Sequence, residues 1–287
     1  MCEQKNNKIV YLDDESRSKL KKKQIEIFEV FLRICDKHQL VYFVVGGTAL
    51  GTVRHKGYIP WDDDIDVALP REDYEHFLEI AQAELNEKYF LQTHKTDPEY
   101  RFDYAKIRDR RTTFKEYSVS KLNINHGIYI DVFPIDGYPE SKLKAWALEK
   151  RKTFTKCYLA KDNIYLFDRE KSIKEKIILS VAKIIFWGKS TTEIIEGLQK
   201  QYKTFSYRES PMVVCHGGAW GNKEICEKEQ YGQGGFGVFE NIEVKLPEKI
   251  HEYLSHKYGD YMKLPPTDKQ VPHHYCSEID FGESHNS

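Results

Sequence analysis

No two cysteines in this chain stand at Cys-x-x-Cys spacing. The six are scattered at Cys2, Cys35, Cys157, Cys215, Cys226 and Cys276, so a structural zinc site is not expected and reduced thiols of a cytoplasmic protein are the plain reading. Net charge is also nearly absent: 44 Lys and Arg stand against 45 Asp and Glu, leaving −1. No global field draws such a chain to a polyanion, so nucleic acid is not expected among its partners. No apolar run approaches the roughly 20 residues a bilayer span requires. Residues Met1 to Lys8 carry no apolar core, so a secretory signal is not expected either. Internal repeats and low-complexity blocks are missing. What is present is 287 residues, 40% hydrophobic and 31% charged, an ordinary balance with enough chain to bury a core in one or two domains.

Apolar positions at Leu20, Ile25, Ile27, Phe28, Phe31, Leu32 and Ile34 lie among lysines and glutamates. That period predicts an amphipathic helix over Asp14 to His38. A short strand is expected over Val41 to Val45, then a helix from Thr48 toward His55, a turn at Lys56 to Pro60, and a strand from Trp61 to Leu69. Pro70 and the acids after it suit a helix N-terminus. Strands are expected at Tyr89–Gln92, at Tyr100–Ile107 and from Gly127 to Phe133, with a turn at Pro134–Gly137. The pattern turns helical from Ser141 to about Tyr207, becomes glycine-rich after Pro211, and ends in a strand pair over Val238–Leu246 and a helix over Pro247–Tyr261. The expected class is α+β, a mixed sheet with flanking helices and a helical insertion. The expected organisation is an N-terminal helix on the core (1–40), a catalytic core (41–140), a helical region (141–210) and a C-terminal part completing the same domain (211–287).

Within this frame Asp62-Asp-Asp-Ile-Asp66 places four carboxylates in five residues. Such crowding is tolerated chiefly when a cation neutralises it. In an extended segment Asp62, Asp64 and Asp66 share one face while Asp63 and Ile65 point the other way. Carboxylates at i and i+2 can grip one or two hard cations through oxygen. Upstream, Gly46-Gly47-Thr48 follows a strand and opens a helix, an arrangement that lets backbone approach phosphate. Alone it reads as a tight turn; followed by the acidic segment it resembles the order of elements in the nucleotidyltransferase fold.

Asp131 lies between Ile130 and Val132 in an apolar strand, where an unpaired Asp is costly. It reads as a third metal ligand or as the base for an acceptor hydroxyl, against a carboxylate simply held by a basic side chain. Asp136 is expected to be a turn former. Lys106 and Arg108 share a face by period two and, with Arg54, are candidates for phosphate contact or for a solvated basic edge. Arg110 and Arg111 read as solvated. Trp61 and Tyr58 could stack on a base or border a quaternary ammonium, but core packing is the expected role of each. His273-His274 could be ligands and is expected to be a loop feature. The apolar segment Ile173–Trp187, among Lys171, Lys174, Lys176, Lys183 and Lys189, is expected to pack inside the protein; lying on an anionic membrane surface is the alternative.

The stretch from Gly46 to Asp66 followed by Pro70-Arg-Glu-Asp-Tyr74 closely resembles the LicD family, which includes fukutin-type proteins. The likeness continues at Lys106–Asp109, Gly127–Asp136, Phe239–Asn241 and Tyr258–Pro266. It implies a nucleotidyltransferase-type fold and metal-dependent transfer of a substituted phosphate from a CDP-linked donor (CDP-choline or a CDP-polyol). The acceptor it implies is a hydroxyl of a glycan or lipid-linked glycan, as in lipopolysaccharide, teichoic acid or capsule precursors. It implies Asp64 and Asp66 as ligands of Mg2+, or Mn2+, with Asp131 as the third carboxylate. It implies Gly46, Gly47 and Thr48 as the donor-contacting turn; on the phosphotransferase reading Lys106, Arg108 and Arg54 are the candidates for phosphate contact. The cysteine cluster of some fukutin-type relatives is not matched here. Two other readings stay open: transfer of a nucleoside monophosphate from a triphosphate to a small acceptor, and a non-catalytic part in a glycan assembly complex. The expected location is the cytoplasm, with the inner face of a membrane as the alternative. Headgroup, acceptor sugar and oligomeric state are not legible.

Overall fold

A computed structural model describes residues 9–163, 172–272 and 274–282. The chain begins with helix α1 (Asp14–His38), whose sequence sets both ends. Asp13 accepts the Ser16 amide at the N-cap, and Gln39 turns the backbone left-handed at the C-cap. Strand β1 (Phe43–Val44) and helix α2 (Gly46–His55) follow, then β2 (Asp66–Pro70) and α3 (Arg71–Glu84). Next come β3 (Tyr89–Gln92), β4 (Ala105–Asp109), β5 (Thr113–Glu116) and the long β6 (Ile128–Tyr138). Three helices, α4 (Lys142–Leu159), α5 (Ile173–Ile185) and α6 (Thr191–Tyr202), lead to β7 (Met212–Val214) and β8 (Ile225–Glu227). The hairpin β9 (Gly235–Phe239) and β10 (Ile242–Leu246), helix α7 (Ile250–Tyr258) and strand β11 (Cys276–Asp280) complete the described fold.

The central sheet runs β1-β2-β6-β4-β3, with β7 and β8 continuing from the far end of β6. Only β2 and β6 pair in parallel; the other neighbours are antiparallel. Phe28, Phe31 and Ile34 of α1 join Val67, Ile107, Ile130 and Phe77 in one main core. The expected mixed sheet with flanking helices is therefore present. The α4–α6 layer has its own small clusters, one around Leu148, Leu198 and Tyr202, another around Leu159, Ile194 and Ile195. Polar contacts tie this layer to the sheet half: the Tyr202 hydroxyl donates to Asp103 and Gln199 donates to the Asp103 carbonyl, at 3.2 and 3.0 Å.

Several boundaries differ from the sequence reading. The acidic strand begins only at Asp66; residues 62–65 are an extended loop. Strand β6 does not turn at Pro134 but runs to Tyr138. Pro134 falls between the residues paired with β4, which end at Val132, and those paired with β7, which begin at Asp136. On that side a missing N–H costs no ladder bond. Asp136 is accordingly no turn former: it is fully buried, and Arg71 grips both its oxygens at 2.7 Å. The final strand is β11, which pairs with β5, 160 or so positions earlier in the chain; neither strand was expected.

Candidate active site

The register of three adjacent strands sets the chemistry. Asp66 on β2 lies opposite Asp131 on β6 in parallel pairing, and Asp131 lies opposite Lys106 on β4. Two carboxylates and a cation are thus abreast across the middle of the sheet. Asp66 and Asp131 line a cleft of about 1230 Å³, together with Asp62 and Asp64. Asp63 and Ile65 do not line it; the two-residue alternation read from the sequence persists through the loop.

The N-terminus of α2 closes one side. The Thr48 hydroxyl accepts the Asp66 amide at 2.8 Å, fixing the start of β2 against the helix. Thr48 itself is buried and absent from the cleft wall, and its hydroxyl is engaged with the Asp66 amide. Gly46, at φ +56°, and Gly47 do line the cleft. A Cβ on Gly46 would stand 2.7 Å from an Asp66 oxygen, and one on Gly47 would collide with an Asp62 oxygen. These glycines let the Asp66 and Asp62 carboxylates approach the first turn of the helix closely.

Burial is the main cause that lifts the Asp62 and Asp66 carboxyls well above the usual range; Asp64 beside both adds to it, with further repulsion from Asp63 on Asp62 and from Asp131 on Asp66. Burial raises Asp131 as well, and Lys106 at 2.9 Å pulls it back. Lys106 is almost fully buried, stacked over Tyr129 and 3.6 Å from Glu116. Burial opposes ionisation of Glu116, but Lys106 and Arg108 prevail and hold it down at about 2.

His274, read from the sequence as a loop feature, belongs to the site. Its backbone amide donates to Asp63 at 3.0 Å, its Nδ1 pairs with the other Asp63 oxygen at 3.1 Å, and Asp64 lies 3.5 Å away. Burial works against protonation of this imidazole, yet Asp63 and Asp64 outweigh it and raise the ring well above its ordinary value. Its neighbour His273 lies outside the described residues. Asp63, Asp64 and His274 bring one ligand atom each within 4.8 Å of one another and could hold a divalent cation. Among the described residues, Asp64, Asp66 and Asp131 do not gather to that spacing. The donor set as a whole fits a hard cation: four crowded aspartates, three of them lining the cleft beside a helix N-terminus.

The basic residues divide. Arg54 lines the cleft and donates to the Tyr261 carbonyl at 2.8 Å. Lys106 stands behind Asp131, not at the wall. Arg108 is not brought to the cleft: it is fully buried and donates to Gln92, to the Gly127 carbonyl at 2.6 Å and toward Glu116. Sequence reading missed Lys263 and Lys269, exposed residues after α7 that line the same cleft. Lys263 falls inside the Tyr258–Pro266 run that carries part of the family resemblance. Trp61 reaches the cleft, whereas Tyr58 packs against Phe239 in the core.

The sequence model described as the LicD/FKTN/FKRP nucleotidyltransferase domain matches residues 39–190, which contain Asp62, Asp64, Asp66 and Asp131 of the cleft. A lipopolysaccharide cholinephosphotransferase LicD of Haemophilus influenzae is 30% identical over 252 residues, covering 87% of this chain and 92% of that protein. An uncharacterised protein of Rickettsia typhi is 28% identical over 125 residues, 42% of this chain and 38% of its own length. A family match over more than half the chain, a relative aligned almost end to end and a carboxylate-lined cleft agree: this protein belongs to the LicD family and is an enzyme of nucleotidyltransferase and phosphotransferase type.

Proposed function

We propose that this protein transfers a substituted phosphate, phosphocholine in the first instance and a polyol phosphate in the second, from a CDP-linked donor to a hydroxyl of a cell-surface glycan precursor. The observation that carries the reading is the in-register pair Asp66 and Asp131 on parallel strands, with Asp64 on the same cleft and the α2 N-terminus over them. Asp64, Asp66 and Asp131 would hold Mg2+ or Mn2+, with Asp62 on the same face. A bound cation would supply charge to the donor's phosphate oxygens and to the leaving CMP. Lys106 holds Asp131 in place and opposes the effect of burial on its carboxyl. His274, on the cleft wall itself, balances the charge of Asp63 and Asp64. Gly46 and Gly47 give backbone access to phosphate, and Arg54, Lys263 and Lys269 border the space a diphosphate would fill.

Phosphocholine is placed first for two reasons. The near full-length relative carries that chemistry in its name, and the cleft wall holds Trp61, Tyr104, Phe133, Trp220, Tyr258 and Tyr261, faces suited to a quaternary ammonium. A donor panel following CMP release with magnesium and with chelator tests the reading. CDP-choline or a CDP-polyol is expected to turn over only with the metal. Asp64→Asn and Asp66→Asn are each expected to lower turnover by about a thousandfold, the scale of losing charge stabilisation in a phosphoryl-transfer site, with far-UV circular dichroism unchanged. Turnover of nucleoside triphosphates with no CDP compound accepted would replace the proposal by nucleotidyl transfer.

A further inference from the structure

Helix α5 is apolar on two faces. One face, Ile178, Leu179, Ala182 and Phe186, turns inward, with Ala182 fully buried and Phe186 against Tyr158 of α4. The other carries Ile173, Ile177, Val181, Ile184 and Ile185, spaced by three and four residues so that they form one stripe. All five are exposed, and Trp187 just beyond the helix is 85% exposed. The expectation that this segment packs inside the protein therefore holds for one face only. An exposed stripe of this kind marks an interaction surface.

Its surroundings select the partner. Lys174, Lys176, Lys183 and Lys189 are all exposed around the stripe. The one acid of the helix, Glu175, is turned back to the N-cap, where its carboxylate accepts the Ser172 amide. In a chain of net charge −1 this is a local concentration of positive charge at an apolar strip. Both helix ends are satisfied without a partner, by the Ser172–Glu175 capping box and by the Phe186 amide on Ala182. The helix is thus preformed and needs no ordering on contact. A second copy of the chain would fit poorly, because a two-fold contact sets the same patch against itself and brings lysines onto lysines. Lysine is also depleted in the cores of protein interfaces. A bilayer with anionic headgroups meets both demands: acyl chains take the isoleucines, headgroups take the ammonium groups, and an indole favours the boundary between them.

We infer that α5 is an interfacial anchor, docking this protein in the plane of an anionic membrane surface. No described helix is long and apolar enough to cross the membrane, so the contact is peripheral. The inference stands on the surface of α5 and does not depend on the donor chemistry.

Flotation of the full chain with vesicles of phosphatidylcholine alone, or with about 30% phosphatidylglycerol to supply the anionic surface, is the test. Binding is expected to the anionic vesicles only and to weaken in high salt. Ile177→Glu with Ile184→Glu is expected to abolish flotation. Lys176→Gln with Lys183→Gln is expected to weaken it by about fivefold per lysine, the scale of one basic side chain at an anionic surface. Both variants replace exposed residues and are expected to keep CMP release from the free donor. Quenching of tryptophan fluorescence by brominated lipid, lost in Trp187→Phe, gives a reading that needs no charge substitution. Absence of flotation with either vesicle, or flotation indifferent to the isoleucine pair, overturns the inference. So does a dimer seen by light scattering that the isoleucine pair dissolves.

Discussion

Lys106 and Arg108 on β4 have 1% and 0% of their surface in contact with solvent, whereas Ile173 and Ile184 on α5 are 78% and 75% exposed. One region of the molecule buries charge; the other leaves hydrocarbon in water. Each departs from the usual partition for a reason found in its neighbours. Around Asp131 the buried charges come in opposite signs and close contact, Lys106 with Asp131 and Glu116, Arg108 with Glu116. Desolvation is tolerable there only because every member has a partner. In the α4–α6 layer the small clusters around Leu148 and Leu159 leave the far side of α5 uncovered. The lesson is that rigid charge placement and surface availability are separated in this fold: the sheet holds the chemistry still, and the layer faces outward.

The contrast can be attacked at its strongest point first. Lys106→Met removes the cation between two buried carboxylates and should cost about 3–5 kcal/mol of stability, the usual price of stranding a buried charge. Urea denaturation measures it; a loss no larger than that of a surface substitution would mean the pair is not what steadies the strand register. Next in size, Leu198→Ala in the helical layer should cost about 2–3 kcal/mol, the lower range for a buried leucine because the cluster is small and can relax. CMP release per folded molecule should be unchanged, since only the sheet half carries the cleft; a matching fall in turnover would show the two regions are coupled.

The smallest effect concerns pH. Asp62, Asp66 and Asp131 have folded pKa values above their ordinary 3.8, and His274 above 6.5. A raised folded pKa means stability that is complete below the unfolded value and lost as pH climbs through the folded one. Glu116, held at about 2, contributes fully once pH exceeds 4.5. His94, lowered by burial to about 4, contributes fully above 6.5. Between about pH 7 and about pH 8.5 those two contributions are flat, so the melting temperature of metal-free protein should fall by a few degrees as pH rises. Magnesium should recover most of the fall. A melting temperature flat with pH and indifferent to magnesium would deny that the acidic cluster is held at a cost.

Much of the sheet half was legible because local rules govern it. Alternation sorted Asp62, Asp64 and Asp66 from Asp63, helical period gave α1 at its observed bounds, and an aspartate inside an apolar strand marked Asp131. Period two also put Lys106 and Arg108 on one face, but it cannot say which face looks into a cleft. That depends on Glu116, supplied by a strand whose partner is β11. His274 escaped for the same reason: a loop histidine carries no period, and its partner Asp63 is 211 residues away. The fate of α5 turned on how much helix surface its neighbours cover, a quantity no local pattern contains.

That distance of 211 residues between Asp63 and His274 has a consequence for the order of manufacture. During synthesis the acidic loop and its glycine turn emerge early, with like charges crowded together. The histidine that relieves them is made 211 residues after Asp63. Nascent chain therefore carries the acidic loop without its balance of charge until His274 has emerged.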